Sequence, residues 1–483
     1  MPSLKLATAR TLKWNTIDRL ASQIIYAAVG IVLANVVSKE AFGIVGVMLV
    51  FQAFALIFVD GGFGAALLQK KETDSEDYST VFWFNLSVSA AIYIVLWFAA
   101  PLISALFHHT EELVAMSRVM FLSFVFNGLG IVQGNRLMKQ MDVRKLTVAN
   151  LTGQVAGGVL GIVLALQGFE AWAIVWQSVS HSLIRGAMLW FGSSWRPRLI
   201  FSRKAFRHIF RMGMSVFSTS FLNTVCLNVY TFIIGVFYPL ASLGVYTQAD
   251  KWSKMGSASV SQVFTATFLP LMSRFQDSAS DFNRVMGKTN RMAAFITLPC
   301  LGGLIVMGAP IFHVLFGNKW DAAIPLFQIL AARGILVVFI SLLGNYMLSL
   351  GRAGAIVRVE MVKDLTTIGA IFATLPFGTI EALVWGQGAA SLVTLIYVTA
   401  VLLAATGYGS RRMLLDILPY LLTAALAAAV ALLLSLWIQN ALLLLLCQLT
   451  AGIAVYCAIL HAFGSVTLAE AYRYVFGRFM KKK

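Results

Sequence analysis

Apolar stretches of about 20 residues, the length that crosses a bilayer as an α-helix, recur from one end of this 483-residue chain to the other. They fall at about 15–37, 41–66, 79–103, 114–135, 148–167 and 171–191, and again at about 213–237, 241–270, 291–315, 322–350, 357–376 and 380–406. Two more, at about 415–437 and 441–463, follow. Fourteen such helices would occupy about 300 residues and leave connections averaging about a dozen, too short for a large soluble domain. Composition agrees: 59% of residues are apolar and 12% charged, against about 45–50% and about 25% in soluble domains. The expected fold is an all-α integral membrane protein with about 14 transmembrane helices.

The net charge is +17, from 37 Lys and Arg against 20 Asp and Glu. In a soluble protein such an excess would suggest nucleic acid. Here its placement suggests topology. The N-terminus, every second loop and the C-terminus hold 29 of the 37 cations, among them Lys70, Lys71, Arg136, Arg144, Arg203, Arg291, Arg352, Arg412 and the tail Arg473, Arg478, Lys481, Lys482 and Lys483. The intervening loops hold only Lys39 and Lys319. Under the positive-inside rule both termini are cytoplasmic, as an even number of spans requires. Residues 195–211 alternate Phe206, Ile209 and Phe210 with Arg203, Arg207 and Arg211, the pattern of a helix lying on an anionic leaflet; no nucleic-acid site is expected. Residues 1–16 are basic and polar and the first apolar run has span length, so no cleavable signal peptide is expected. Cys226, Cys300, Cys447 and Cys457 lie in apolar runs without CxxC or neighbouring His, which argues against disulfides and a metal site.

The longest basic linker, about 192–212, separates two sets of six spans whose loops share a rhythm. In each set a basic stretch (136–145; 352–363) joins the fourth and fifth spans, and a short loop with one acid (Glu170; Glu381) joins the fifth and sixth. At an offset of 210, Gly134-Asn135, Gly168 and Gln177 match Gly344-Asn345, Gly378 and Gln387. The expected organisation is an N-lobe at 1–195, a linker helix and C-lobe at 196–406, and a C-terminal hairpin with basic tail at 407–483. Paired halves of this kind suit alternating access, with substrate held where they meet.

Six cations remain inside spans, Arg19, Arg118, Arg185, Lys251, Lys254 and Arg333, with three acids, Asp18, Asp60 and Asp250. Each unpaired cation at mid-bilayer costs about 3 kcal/mol, so six facing lipid would consume on the order of 18 kcal/mol, more than a typical domain's stability. Arg19 and Arg118 sit about 6 Å inside their nearer ends, within snorkelling reach, and Arg185 about 9 Å, where either reading fits; with Lys254 they are further candidates for a cationic cavity. Lys251 and Arg333 lie about 15 Å and about 18 Å deep, near the midplane. Asp250 and Lys254, spaced i,i+4, can neutralise each other on one helix face; Lys251 points elsewhere. Lys251 and Arg333 are therefore the leading candidates to line a cavity, the alternative being interhelical pairs with Asp60 or Asp18. Asp60 precedes Gly61-Gly62, where a helix break is expected, and is a candidate for ion coupling by Na⁺ or H⁺; no other cofactor is expected. A net-positive cavity selects an anionic cargo, with Arg offering a fork to phosphate and Lys a point charge.

The stretches KEAFGIVGVMLVFQAFALIFVDGGFGAALLQKKE (39–72), ASLGVYTQADKWSKM (241–255), FLPLMSRF (268–275), FGNKWDAAIPLFQILA (316–331) and WRPRLIFSRKAF (195–206) resemble those of Wzx-type (WzxC-like) flippases of the multidrug/oligosaccharidyl-lipid/polysaccharide exporter superfamily, in order and spacing over essentially the whole chain. The resemblance implies twelve core helices in two lobes around a cationic cavity, plus an extra hairpin. It implies transfer of an undecaprenyl-diphosphate-linked oligosaccharide, such as an O-antigen or other lipopolysaccharide repeat unit, from the inner to the outer leaflet of the bacterial inner membrane. It also implies a chain that works as a monomer alongside glycan polymerase or assembly proteins. The hairpin at 415–463 either shapes a groove for the polyprenyl tail or simply packs.

Three other functions are weighed against this. A lipid II flippase would also have a cationic cavity. A drug or cation antiporter of the same superfamily needs buried acids, against which the excess of six cations over three acids argues. A membrane glycosyltransferase or polymerase needs outward-facing acids; Glu40, Glu111, Glu112, Glu170, Asp321 and Glu381 are scattered over short loops, and His108-His109 beside Glu111-Glu112 reads as a solvated loop. No catalytic residues are expected.

Overall fold

A computed structural model of the chain describes residues 2–108, 110–470 and 472. His109 and the basic tail residues Arg473, Arg478, Lys481, Lys482 and Lys483 lie outside the described residues. Among the described residues the only regular structure is helical. Among the described residues, eleven helices are long and apolar enough to cross a membrane.

Contacts divide the chain into two compact units, 1–247 and 248–483. The first holds α1 (Pro2–Val36), α2 (Lys39–Asp60), α3 (Phe63–Gln69), α4 (Ser75–Leu106), α5 (Glu111–Met120), α6 (Leu122–Lys139), α7 (Val143–Leu166), α8 (Ala171–Gly192) and α9 (Arg203–Phe237). The division falls within α10 (Leu240–Met272). The second unit continues with α11 (Ala279–Val306), α12 (Gly308–Phe316), α13 (Ala323–Ser349), α14 (Ala353–Thr374), α15 (Ile380–Thr406), α16 (Ser410–Leu434) and α17 (Ala441–Ala462).

Local chemistry sets many of the helix ends. Ser38 accepts from the Ala41 N–H to start α2, and Asp74 and Asp77 form a reciprocal capping box at the start of α4. α2 stops at Gly61 and Gly62, both left-handed (φ 55° and 71°), a conformation that costs a residue with a Cβ but not glycine. The short α3 then completes the span, so the break expected after Asp60 is present. Thr379 caps α15, and left-handed Gly407 ends it.

Three helices counted as spans in the sequence, α8, α10 and α14, have the length but fall short in apolarity. The reason lies in what they carry: His181 and Arg185 on α8, Asp250, Lys251 and Lys254 on α10, and Arg358, Glu360, Lys363 and Asp364 on α14. The helices that hydropathy alone passes over are thus the ones whose apolar runs are broken by charge.

The 210-residue rhythm has a structural counterpart. The turn from α6 to α7 and the turn from α13 to α14 are built alike. Gln140 and Leu350 each donate four residues back, to Arg136 O (3.0 Å) and Tyr346 O (3.1 Å). Met141 and Gly351 are both left-handed (φ 59° and 70°). Asp142 and Arg352 then donate five residues back (2.9 and 3.1 Å) and open the next helix with nearly equal dihedrals, φ −85°, ψ 57° and φ −88°, ψ 57°.

Within the first unit, α7 lays Gly153, Gly157 and Gly161 against α8. A Cβ on Gly157 would stand 2.7 Å from the Gln177 carbonyl oxygen, so this small-residue stripe lets two backbones touch. The second unit is centred on Phe264, Phe268, Phe282, Leu298, Leu342 and Tyr346. On α16 and α17 the apolar side chains point outward instead, with Leu414, Leu422, Leu433 and Ile453 more than half exposed, the face a helix presents to lipid.

Candidate functional site

In the first unit, the packing of α1, α7 and α8 gathers one charged cluster. Asn150 of α7 donates through Nδ2 to Asp18 Oδ1 (3.1 Å) and to Ser22 Oγ (3.2 Å), both on α1. Arg185 of α8 lies within electrostatic reach of the same carboxylate. Asp18, one of the two acids considered as partners for the deep cations, thus lies near Arg185. Beside them His181 Nε2 and Gln154 Oε1 are buried without a hydrogen-bond partner. Arg19, next to Asp18 in sequence, is exposed.

Arg118 of α5 sits apart from that cluster. Its guanidinium carbon lies 4.7 Å from the Trp97 ring centroid and its Nε donates to Trp97 O (3.4 Å), a cation–π seat on α4. Asp60 has a local task. Its carboxylate faces the backbone N–H groups of Gly64 and Gly62, at the start of α3, where Gly62 offers no side-chain cap. An acceptor placed there satisfies orphan helix donors.

In the second unit, Lys254 Nζ meets Asp250 Oδ2 at 2.6 Å, the i,i+4 pair that their spacing predicts. Lys251 takes another face, its Nζ 5.2 Å from the Trp252 ring centroid. The indole of Trp252 is buried and donates to Gln248 Oε1 (3.2 Å). Arg333 of α13 turns toward α15, where its Nε donates to Ser391 Oγ (3.1 Å). α10 and α13 meet along a polar seam: Ser261 to Ser341 (3.4 Å) and Asn345 to Thr265 (3.2 Å). One helical turn on the other side of Ser261, Gly334 closes on Ser257, whose Cβ would be 3.0 Å from an added one. Arg333 is thus one residue before that approach, and Lys251 six residues before Ser257, about 9 Å along the axis. The Ser391 hydroxyl is thus beside Arg333 and the Trp252 ring beside Lys251.

Several loop cations have structural partners. Lys70 bonds buried Asp77 (2.5 Å), and Lys139 donates to Leu67 O (3.0 Å) and to Lys70 O. Among the outward-loop acids, Glu170 Oε2 accepts from the Ser38 N–H (2.8 Å), while Glu111 and Glu112 occupy the exposed first turn of α5. His108 contacts Tyr238 O (2.9 Å). No disulfide joins the four cysteines, all of which are described.

Sequence reasoning missed a further charged constellation, Arg291, Tyr408 and Asp416, where α11 meets the start of α16. Arg291 and Arg412 had been counted as topology signals alone. Asp416, the one acid early in a leucine-rich helix, was the available clue.

Residues 32–325 match the family described as Polysaccharide biosynthesis protein. The chain is 25% identical to the teichuronic acid biosynthesis protein TuaB of Bacillus subtilis, over 82% of each chain. It is 23% identical to the succinoglycan biosynthesis transport protein ExoT of Rhizobium meliloti, over 78% of this chain and 76% of that one. It is also 23% identical to the lipopolysaccharide biosynthesis protein WzxC of Escherichia coli, over 76% and 75%. Among solved structures, the lipid II flippase MurJ in an inward closed conformation superposes with a TM-score of 0.75 at 16% identity, covering 95% of this chain and 99% of that chain. That likeness shows a common fold.

Proposed function

Because this chain belongs to the polysaccharide biosynthesis protein family, we propose that it is a transporter, not an enzyme, that flips a polyprenyl-diphosphate-linked oligosaccharide across a bacterial inner membrane. The direction proposed is cytoplasmic to periplasmic leaflet, by alternating access of an N-lobe (1–195) and a C-lobe (196–406). α8, α10 and α14 cross the membrane with the eleven apolar helices, giving fourteen spans and two cytoplasmic termini. The chain acts as a monomer, alongside glycan polymerase or assembly proteins.

The observation that carries this reading is the surplus of cations within the spans. By their position along their helices Lys251 and Arg333 are the deepest of these cations; Arg333 donates to the Ser391 hydroxyl and Lys251 lies by the Trp252 ring. A diphosphate carries the charge that complements such a surplus: Arg binds it as a fork, Lys as a point charge. The sugar enters with the phosphates while the polyprenyl tail stays in lipid, and the hairpin α16–α17 supplies its apolar outer face. Asp60 or Asp18 is the residue proposed for any coupling to Na⁺ or H⁺. The transport role named for ExoT in succinoglycan biosynthesis supports a transporter reading.

The test is flipping of a fluorescent undecaprenyl-diphosphate oligosaccharide in proteoliposomes. Lys251→Ala and Arg333→Ala should each slow it by about tenfold or more, one charge-assisted contact being worth that much. Unchanged flipping in both, at equal reconstitution, removes the two residues from the site. Preferential flipping of lipid II would move the substrate to the peptidoglycan precursor, and uptake of a cationic dye would support an antiporter.

A further inference from the structure

We infer that the junction of α11 and α16 is a second binding site, for the phosphate of a membrane lipid. A cavity of about 500 Å³ opens there, along the N-terminal turns of α11 as far as Arg291 and the first two turns of α16, the basic ends of both helices, where a headgroup would lie. It is lined by Ser280, Asn283, Arg284, Gly287 and Arg291 of α11, by Tyr408 of the loop before α16, and by Arg412, Leu415 and Asp416 of α16.

The arrangement is built rather than incidental. Asp416 is buried, 5% exposed, and both its oxygens are in use: Oδ1 accepts from Arg291 Nη1 at 2.6 Å, and Oδ2 accepts from the Tyr408 hydroxyl. The acid thereby fixes an arginine and a phenol at the cavity wall. Gly287 makes room for them, since a Cβ there would lie 2.6 Å from Tyr408 Oη and 3.2 Å from Asp416 Oδ2.

Charge then names the class of ligand. Three arginines face the cavity against one carboxylate, and that carboxylate is committed to Arg291. Arg284 pairs with exposed Asp281 (2.8 Å). Arg412 makes no ion pair among the described residues. α16 adds the positive end of a 25-residue helix, with Gly409 as its cap, no side-chain acceptor and no acid in its first turn. A helix start of this kind, with arginines where acids belong, is relieved by an anion.

Lipid, and not a soluble anion alone, follows from what adjoins the arginines. Leu415 lines the same cavity and is 58% exposed; Leu414 before it and Leu418 and Leu422 one and two turns on continue an outward apolar track along α16. A phosphate seated among Arg284, Arg291 and Arg412 would leave its acyl or prenyl chains lying on that track. Two sources share this chemistry: an anionic phospholipid of the bulk membrane, and a polyprenyl diphosphate. The inference requires α11 and α16 to cross a membrane but does not depend on what the protein transports.

The test uses the full-length protein in detergent, read by native mass spectrometry and by thermal unfolding. The probes are dioleoylphosphatidylglycerol, undecaprenyl diphosphate and inorganic pyrophosphate. Arg412→Gln alters an exposed side chain and should fold; it should weaken retention of the bound lipid by about tenfold, with Arg284→Gln/Arg412→Gln weaker still. Preference for phosphatidylglycerol assigns the site to bulk lipid, and preference for undecaprenyl diphosphate to the carrier; either supports it. Equal lipid binding by wild type and both variants overturns the site, and stabilisation by pyrophosphate but by neither lipid overturns the lipid assignment. Flipping lost in Lys251→Ala with lipid retention intact would keep the two sites' fates separate.

Discussion

Gly43 and Gly244 approach so closely that neither can carry a side chain: a Cβ on Gly43 would stand 1.9 Å from the Leu240 carbonyl oxygen, and one on Gly244 would stand 2.0 Å from that of Lys39. Both obstacles are main-chain atoms at helix starts, so no rotamer change relieves them. Gly43→Ala or Gly244→Ala must push α2 and α10 apart, at a cost of about 1–3 kcal/mol for an overpacked contact. The expected outcome is a lowered unfolding temperature for each single variant in detergent. The double variant should lose less than the sum, because one displacement serves both. Two unchanged midpoints would show that the approach is not a feature of the folded protein.

Asp60 separates two roles that a carboxylate in a span can have. Its position beside the N–H groups of Gly64 and Gly62 makes it a cap for α3. An asparagine oxygen can accept the same hydrogen bonds, whereas alanine cannot. Asp60→Asn should therefore retain wild-type stability, and Asp60→Ala should lose about 1 kcal/mol. Transport read on the same proteins decides the second role. A carboxylate that binds Na⁺ or carries H⁺ fails as Asn; one that only caps does not.

What the sequence made legible was local or periodic. Span recurrence, the break at Gly61-Gly62, and the Asp250–Lys254 pair all follow from spacing within a single helix. The resemblance added the family. What it left hidden depends on which helices lie side by side. Asp18 and Arg185 are far apart in the chain, and only the glycine-mediated closeness of α7 to α8 brings them into one cluster. The stripe Gly153, Gly157, Gly161 was there to be read as a helix-packing motif, but it names no partner helix. The Arg291–Asp416–Tyr408 set was hidden for a second reason. Arg291, like the neighbouring Arg284 and Arg412, lies in a loop or span end whose charge the positive-inside rule already explains, so nothing in the composition marked them as lining a cavity.

Asp18 should matter to Arg185 more than to its own neighbour Arg19, which is exposed. Removing one partner from a fully buried pair costs about 3–5 kcal/mol; both side chains here are only half-buried, so about 1–2 kcal/mol is expected for Asp18→Ala. A double-mutant cycle of Asp18→Ala with Arg185→Ala should show coupling, while the cycle with Arg19→Ala should be additive. Thermal unfolding of the six proteins measures both. Coupling to Arg19 alone would contradict the α1–α7–α8 cluster.

Tyr408 offers a reading of the second site by pH. Burial first, and then the hydrogen bond it donates to Asp416, hold its hydroxyl proton above the usual phenol value of 10.0. The native state therefore keeps this proton at pH values where the unfolded chain releases it. Stabilisation from the group is complete below pH 10 and declines as pH rises beyond it. Tyr408→Phe removes the donor and leaves one oxygen of buried Asp416 without its partner, for a loss of about 1–3 kcal/mol at pH 7. Other tyrosines and lysines titrate in both proteins, so the quantity to follow is the difference in stability between wild type and Tyr408→Phe. That difference should hold steady from pH 7 to pH 9 and shrink above pH 10. A constant difference across the whole range would mean that Tyr408 ionises as freely in the native protein as in the unfolded one, and that its bond to Asp416 does not hold the cavity wall.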